Sequence, residues 1–321
     1  IQHTDDGGYI AAGCTFEGSG LITDGWVIKI DENGNEVWNK TIKVEGAVWT
    51  ECKAVCQVDD GGYIVGGTYF ISEYGGTWGA CLFKLDRNGN EEWNRTFVKE
   101  GEYVSIIKAI PDKDGGCIIV GRREGVAWIE KIDGNGNTVW SRVFDKLIDP
   151  PWSAFISVRQ TADGGYIALG WCDRGWLLNF LHHPMHPDFC SDTWLVKMDG
   201  EGMVKWERLF PMMDMLAFPA DIQITKDGGY IIVGSVDSYQ YPGKWEGILI
   251  KTDSKGRTNI LHLKLSALIH WLVIQGLYSP SPSSSLKLGE KATDNRDDTF
   301  NFTNFERGII YRPWDQINIW T

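Results

Sequence analysis

The chain has 321 residues, 23% of them charged, and a formal net charge of −12. A body of that length can bury roughly three quarters of its unfolded surface, whereas the acidic balance argues against a nucleic-acid partner, whose phosphates need a basic stripe. The one long apolar run, Ala267 to Tyr278, is broken by His270 and Gln275 and is too short to span a membrane.

The chain opens at Ile1, part-way into a repeat, as a fragment or processed product would. The repeat is a phrase read as Asp6-Gly7-Gly8-Tyr9, Asp60-Gly61-Gly62-Tyr63, Asp114-Gly115-Gly116-Cys117, Asp163-Gly164-Gly165-Tyr166 and Asp227-Gly228-Gly229-Tyr230. Its second glycine recurs at steps of 54, 54, 49 and 64 residues, a period that means arrays or propellers. Apolar segments such as 54–58, 106–110 and 155–159 precede it and read as strand A. The Asp-Gly-Gly turn needs positive φ, which glycine supplies without steric cost. Strand B follows, as in 63–67 and 230–234, then a variable loop, then strand C, as in 26–30.

A second turn, Asp-x-x-Gly, follows in all five copies: Asp31/Gly34, Asp86/Gly89, Asp133/Gly136, Asp199/Gly202 and Asp253/Gly256. It has the preference of a type I turn closed by a glycine bulge. Strand D then ends on Trp38, Trp93, Trp140, Trp206 and, in the fifth copy, Ile260. The register is expected to put Trp38 on the face of Trp26, Ile28 and Ile30.

Four antiparallel strands per unit of about fifty residues make a β-propeller blade. The expected fold is all-β, a propeller spanning 1–266 with blades at 1–50, 51–104, 105–154, 155–219 and 220–266, five or six in the intact ring. Residues 267–321 read as an atypical tail that includes a Ser/Pro linker. Either the tail supplies the strand A that the first unit lacks, or it is a degenerate sixth blade or sequence foreign to the repeat.

The phrase at 160–167, followed by the Gly-x-x-x-Trp-x-x-Lys-x-Asp-x-x-Gly-Asn-x-x-Trp pattern of 22–38, resembles the repeats of secreted bacterial and archaeal β-propeller proteins. These are similar in turn to the tryptophan-docked blades of the quinoprotein dehydrogenase-like superfamily. The resemblance implies an exported or surface protein, usually without an assigned reaction. The quinoprotein enzymes add adjacent cysteines and calcium-binding acids beside a stacking tryptophan. This chain has no adjacent cysteine pair, so that activity is not carried over.

The uniform A–B and C–D turns lie on one rim and the irregular B–C and D–A connections on the other, where binding is expected. The B–C loop is short in unit three (Arg122 to Ala127) and long in unit four (Trp171 to Thr193). Trp49, Tyr103 and Trp152 each precede their Asp-Gly-Gly aspartate by eleven residues, with Phe218 nearby in the next unit. They read as a stacking platform for a sugar or peptide, or as wedges between blades. The long loop adds Trp171, Trp176 and Phe180, either a partner site or satellite core. It also carries His182, His183, His186, Asp188 and Cys190, a ligand set for zinc or copper or simply an exposed polar loop. The acidic turns are turns first, with weak calcium binding as the residual reading.

The seven cysteines form no CxxC pair; Cys14, Cys81, Cys117 and Cys172 read as small buried hydrophobes, and Cys52 and Cys56 as too far apart to pair. Asn39-Lys40-Thr41, Asn94-Arg95-Thr96 and Asn301-Phe302-Thr303 are sequons compatible with export. No phosphate-cradling loop, nucleophile elbow or zinc-protease helix is present. The expected function is therefore a non-enzymatic, extracytoplasmic module that binds a protein or glycan through the irregular rim. The alternative is a polysaccharide-active enzyme using Glu100, Glu102, Asp149 and Asp173, with a quinone-dependent oxidoreductase behind it. Ligand identity and oligomeric state are not legible.

Overall fold

The computed structural model describes residues 1–17, 22–72, 76–98, 103–113, 115–144, 152–173, 191–210, 215–238 and 245–258. Among them there are nineteen strands and no helix. The first blade holds β1 (Gln2–His3), β2 (Tyr9–Glu17), β3 (Ile22–Ile30) and β4 (Glu36–Ile42). The second holds β5 (Trp49–Gln57), β6 (Tyr63–Ile71), β7 (Thr77–Leu85) and β8 (Glu91–Phe97). The third holds β9 (Val104–Pro111), β10 (Cys117–Arg123), β11 (Val126–Ile132) and β12 (Thr138–Phe144). The fourth holds β13 (Ser153–Gln160), β14 (Tyr166–Asp173), β15 (Ser191–Met198) and β16 (Val204–Phe210). The fifth holds β17 (Met215–Ile224), β18 (Tyr230–Ser238) and β19 (Trp245–Thr252). Within each blade the strands pair antiparallel in chain order, so the protein is an all-β propeller. The innermost strands β5, β9, β13 and β17 lie against one another in turn.

The core is divided among the seams between blades. Trp128 and Ile132 of the third blade pack with Ala54, Ile64 and Leu82 of the second. Phe155, Tyr166 and Trp194 pack with Ile118, Val120 and Trp140. Matching clusters join blades one to two and four to five. Both faces of each inner sheet are thus covered, which suits the continuous apolar runs of strands B and C.

The two repeated turns explain each other. Gly7 and its kin (Gly61, Gly115, Gly164, Gly228) sit at φ between 76 and 85°, the left-handed conformation that the A–B turn requires. The next glycine is excluded from carrying a side chain by contact: a Cβ on Gly62 would lie 2.4 Å from the Leu85 carbonyl and 2.4 Å from Lys84 Nζ. That lysine is the one in the repeated x-x-Lys-x-Asp of strand C, and it is buried. Lys84 bonds Asp60 at 2.8 Å, and the same bridge joins Lys29 to Asp6 (2.9 Å), Lys197 to Asp163 (2.8 Å) and Lys251 to Asp227 (2.8 Å). In the third blade Lys131 uses Asp112, at 2.7 Å. Each clamp ties the A–B turn to strand C across the width of strand B. A charge taken out of water needs such a partner.

The expected position of Trp38 is corrected. It pairs opposite Lys29, while Ile28 pairs with Asn39 and Ile30 with Glu36. The slip lies between Lys29 and Ile30, where the turn's glycine bulge adds a residue, and one residue of slip moves a strand's side chains to its other face. Trp93, Trp140 and Trp206 likewise stand opposite Lys84, Lys131 and Lys197. On that face the indoles reach the next blade. Trp38 Nε1 donates to the Arg87 carbonyl (3.0 Å), Trp93 to Gly134 (3.1 Å) and Trp140 to Gly200 (3.1 Å), all in Asp-x-x-Gly turns. A Cβ on Gly89 would meet Trp38 at 2.8 Å, one on Gly202 would meet Trp140 at 2.8 Å, and one on Gly256 would meet Trp206 at 2.6 Å. The turn glycine is therefore required twice, by its φ and by the indole lying on it. The fifth copy's Ile260 and the tail fall outside the described residues.

Substituting Trp140→Ala should cost about 3–5 kcal/mol in urea unfolding. Gly202→Ala should be costly as well, and the double variant should lose less than the sum, since both act on one contact; additive losses would contradict the docking. Acid should weaken the clamps. Asp6, through bonds from Thr4 and Lys29, and Asp163, through Lys197 and Thr161, are held down to about 2. Their contribution is complete above a pH of about 4, the unfolded carboxylate range, and drains away as pH falls towards about 2. In urea midpoints followed between those limits, Asp163→Asn should flatten the decline; an unchanged slope would contradict the clamp.

Candidate functional site

The irregular rim is built where strand A begins. In each of blades two to five, strand A carries a bulge, at Cys52/Ala54, between Gly121's partner Ile106 and Lys108, at Phe155/Ser157 and at Pro219/Asp221. A glycine of strand B faces each bulge and takes the strand A carbonyl into the space a side chain would fill. A Cβ would lie 2.0 Å from Glu51 O at Gly67, 1.9 Å from Ser105 O at Gly121 and 2.2 Å from Ala154 O at Gly170. The bulge bends strand A so that its first residues lean onto the preceding blade. Thr23 bridges Trp49 in parallel, Trp78 bridges Tyr103, and Ser153 N donates to Gly125 O at 3.0 Å.

These seams bring most of the expected aromatics into one row. Trp49 meets Trp78 edge-on at 5.1 Å, Phe70 lies 4.8 Å from Trp78, and Trp78 lies 5.9 Å from Tyr103. Arg122 continues the row: its guanidinium sits 5.6 Å from the Tyr103 centroid, 4.3 Å from Trp152 and 6.0 Å from Trp171. The row crosses blades two, three and four. Trp78 and Tyr103 are each 37% exposed and Trp152 53%, so it packs the seams on one side and faces solvent on the other. Phe218 stands on β17 opposite Ser235, two positions past the site equivalent to Trp152, and is also exposed.

Trp78, Phe70 and Arg122 were not singled out in sequence. Phe70 and Trp78 are a cross-strand pair at the ends of a B–C loop, detectable only once β6 and β7 are aligned. Arg122 is placed by a loop shorter than expected. β10 runs to Arg123 and β11 starts at Val126, leaving Glu124 (φ 52°) and Gly125 (φ 87°) as a two-residue turn.

Trp176, Phe180, His182, His183, His186, Asp188, Cys190, Glu100, Glu102 and Asp149 lie outside the described residues. Asp173 is described only in its backbone, paired with Ser191. Among the described residues no group of three or more His, Cys, Asp or Glu is placed to hold a metal ion. In the acidic turns the aspartate is engaged by its own loop: Asp31 Oδ1 accepts from the backbone of Asn33 (2.9 Å) and Asn35 (2.8 Å), and Oδ2 from the Asn35 amide (3.0 Å).

The described aspartates Asp6, Asp60, Asp163, Asp221 and Asp227 are held below their ordinary range. At Asp221 burial opposes ionisation, but Ser157 and Arg159 overcome it. A glycosidic acid needs the reverse. Five described cysteines, 52, 56, 81, 117 and 172, are buried. Burial pushes Cys56 and Cys81 up to about 12, which makes them inert thiols. None is adjacent to another in sequence, so the residues do not fit the quinone site of the resembled superfamily, and no chemistry is derived through that cofactor. No helix among the described residues is long and apolar enough to cross a membrane.

No family model and no curated protein matches the chain, and the likeness to the quinoprotein dehydrogenase-like superfamily stands on the repeated residues alone. Among solved structures it is similar to a protein of unknown function from Dyadobacter fermentans, 10% identical with a TM-score of 0.49, covering 79% of this chain and 77% of that one. It is also similar to a protein of unknown function from Bacteroides caccae, 15% identical with a TM-score of 0.34, covering 77% and 92%. A GH43 β-1,3-galactosidase is 10% identical with a TM-score of 0.41, covering 77% of this chain and 54% of its own. Likeness at this level transfers no activity, and the propeller assignment rests on the strand pairing.

Proposed function

We propose that the protein is a non-enzymatic, extracytoplasmic binding module that holds a glycan along its irregular rim. The observation that carries this reading is the aromatic row that runs from the half-buried Trp49 to the exposed Trp78, Tyr103 and Trp152. Flat rings offer a large apolar face, which is what the C–H faces of a sugar stack on. Rings tied to three neighbouring blades form a preorganised surface, so little ordering cost falls on binding. Export is supported by Asn39 and Asn94, both exposed on outer strands β4 and β8 within Asn-x-Thr sequons.

The test is a glycan array probed with the whole chain, followed by calorimetry on the best saccharide. Tyr103→Ala with Trp152→Ala should weaken that saccharide about tenfold or more. Asn88→Ala, on the opposite rim, should leave it unchanged. Retention of no saccharide, or equal losses in both variants, would overturn the reading. Capture of a protein in place of any saccharide would assign the rim to a protein partner instead.

A further inference from the structure

We infer that Arg122 is an oxyanion-binding residue, and that the saccharide taken by the aromatic row is therefore an acidic one; the inference rests on the glycan-binding reading above. Several cations elsewhere in the described part hold a partner. The buried lysines hold aspartates, Arg95 holds Glu130 at 3.2 Å, Arg159 holds Asp221 at 2.8 Å and Arg257 holds Asp253 at 2.7 Å. Arg142 and Arg208 donate to carbonyls at 2.9 and 2.8 Å.

The Arg122 side chain makes no ion pair and no hydrogen bond with any described residue. Its Nε is sealed from solvent and unpartnered, while its guanidinium is flanked by Tyr103, Trp152 and Trp171. Burial disfavours its charged form, which leaves the cation under-compensated within the protein. Orphaned buried donors are rare and need an explanation.

The rings enclose Nε, and the donors a ligand can reach are the two terminal nitrogens, which are not sealed. The rings restrain the guanidinium by stacking, which uses its faces and leaves its edge donors in the plane. A planar fork held in this way is suited to a carboxylate or sulfate accepting two parallel bonds. Its position is fixed by the two-residue turn at Glu124–Gly125, so the donors do not have to be ordered when ligand arrives. The same three rings form one end of the stacking row. A saccharide lying on that row would bring a ring substituent to Arg122. The net charge of −12 repels polyanions in general, so a preference for one must come from a local site.

The experiment is calorimetry of the whole chain with an oligogalacturonide and its full methyl ester, and with a dextran sulfate oligomer and plain dextran. The ester keeps every sugar face and removes the charge. The wild-type protein should bind at least one acidic probe about tenfold or more above its neutral counterpart. Arg122→Met should abolish that preference by weakening the acidic probe alone. Arg122→Lys, which keeps the charge and loses the fork, should retain part of it, and it decides the matter if Arg122→Met does not fold.

Whichever acidic probe is preferred identifies carboxylate or sulfate as the group bound. Equal affinity for acidic and neutral probes would overturn the inference and leave the glycan reading standing. A preference that survives both substitutions would reduce Arg122 to packing between blades three and four. Binding of none of the four probes would overturn the inference, and the array result would then decide separately whether the glycan reading falls with it.

Discussion

An indole laid on a glycine turn is the contact on which the rest of this fold depends. Each blade is a small sheet that cannot cover its own faces, and the blades hold together because each sheet is covered by the next. Trp38, Trp93 and Trp140 each reach across a seam and bond a carbonyl of the neighbouring Asp-x-x-Gly turn, on a patch that only glycine leaves open. The tyrosine of the neighbouring Asp-Gly-Gly phrase closes over the same indole, 5.6 Å from Trp38, 5.9 Å from Trp140 and 6.0 Å from Trp206. Tyr166 also donates to Asp112 of the blade before it, at 2.7 Å. Motifs that look separate in the chain are thus two sides of one joint.

The uniform rim spends its polar groups on itself. Aspartates hold lysines or turn amides, glycines receive indoles, and little there is left to meet a ligand. The other rim is built by the same geometry run to a different end. Strand A must bulge to let its carbonyl approach a strand-B glycine, and the bend leans its first residue onto the preceding blade. Where that residue is Trp49, Tyr103 or Trp152, the seam is packed and a ring is displayed at once. The wedge reading matches these seam contacts, and the part of each ring left in solvent is what the proposed platform would use.

Much of the architecture was legible because it repeats. The glycines fixed the turns, the spacing fixed the strands, and five copies made a propeller the only economical account. What was not legible depended on register. Trp38 was expected on the wrong face because the glycine bulge adds a residue that pattern alone does not count. The glycine inside strand B, as in Val120-Gly121-Arg122, was the signal for the strand A bulge. Trp78 and Arg122 belong to the rim through pairing across strands and blades, which no spacing along the chain encodes. An arginine pair at the end of a strand reads as an exposed end until three rings from two blades are seen around Arg122.

The central claim is that the closing indoles are docked on the neighbouring blade rather than lying loose on the outer edge. Hydrogen exchange of the indole N–H groups, followed by NMR on 15N-tryptophan protein, tests it directly. Trp140, bonded to Gly200 and buried, should exchange much more slowly than the exposed Trp152, and Trp38 and Trp93 should fall between. Exchange of Trp140 at the rate of Trp152 would contradict the account.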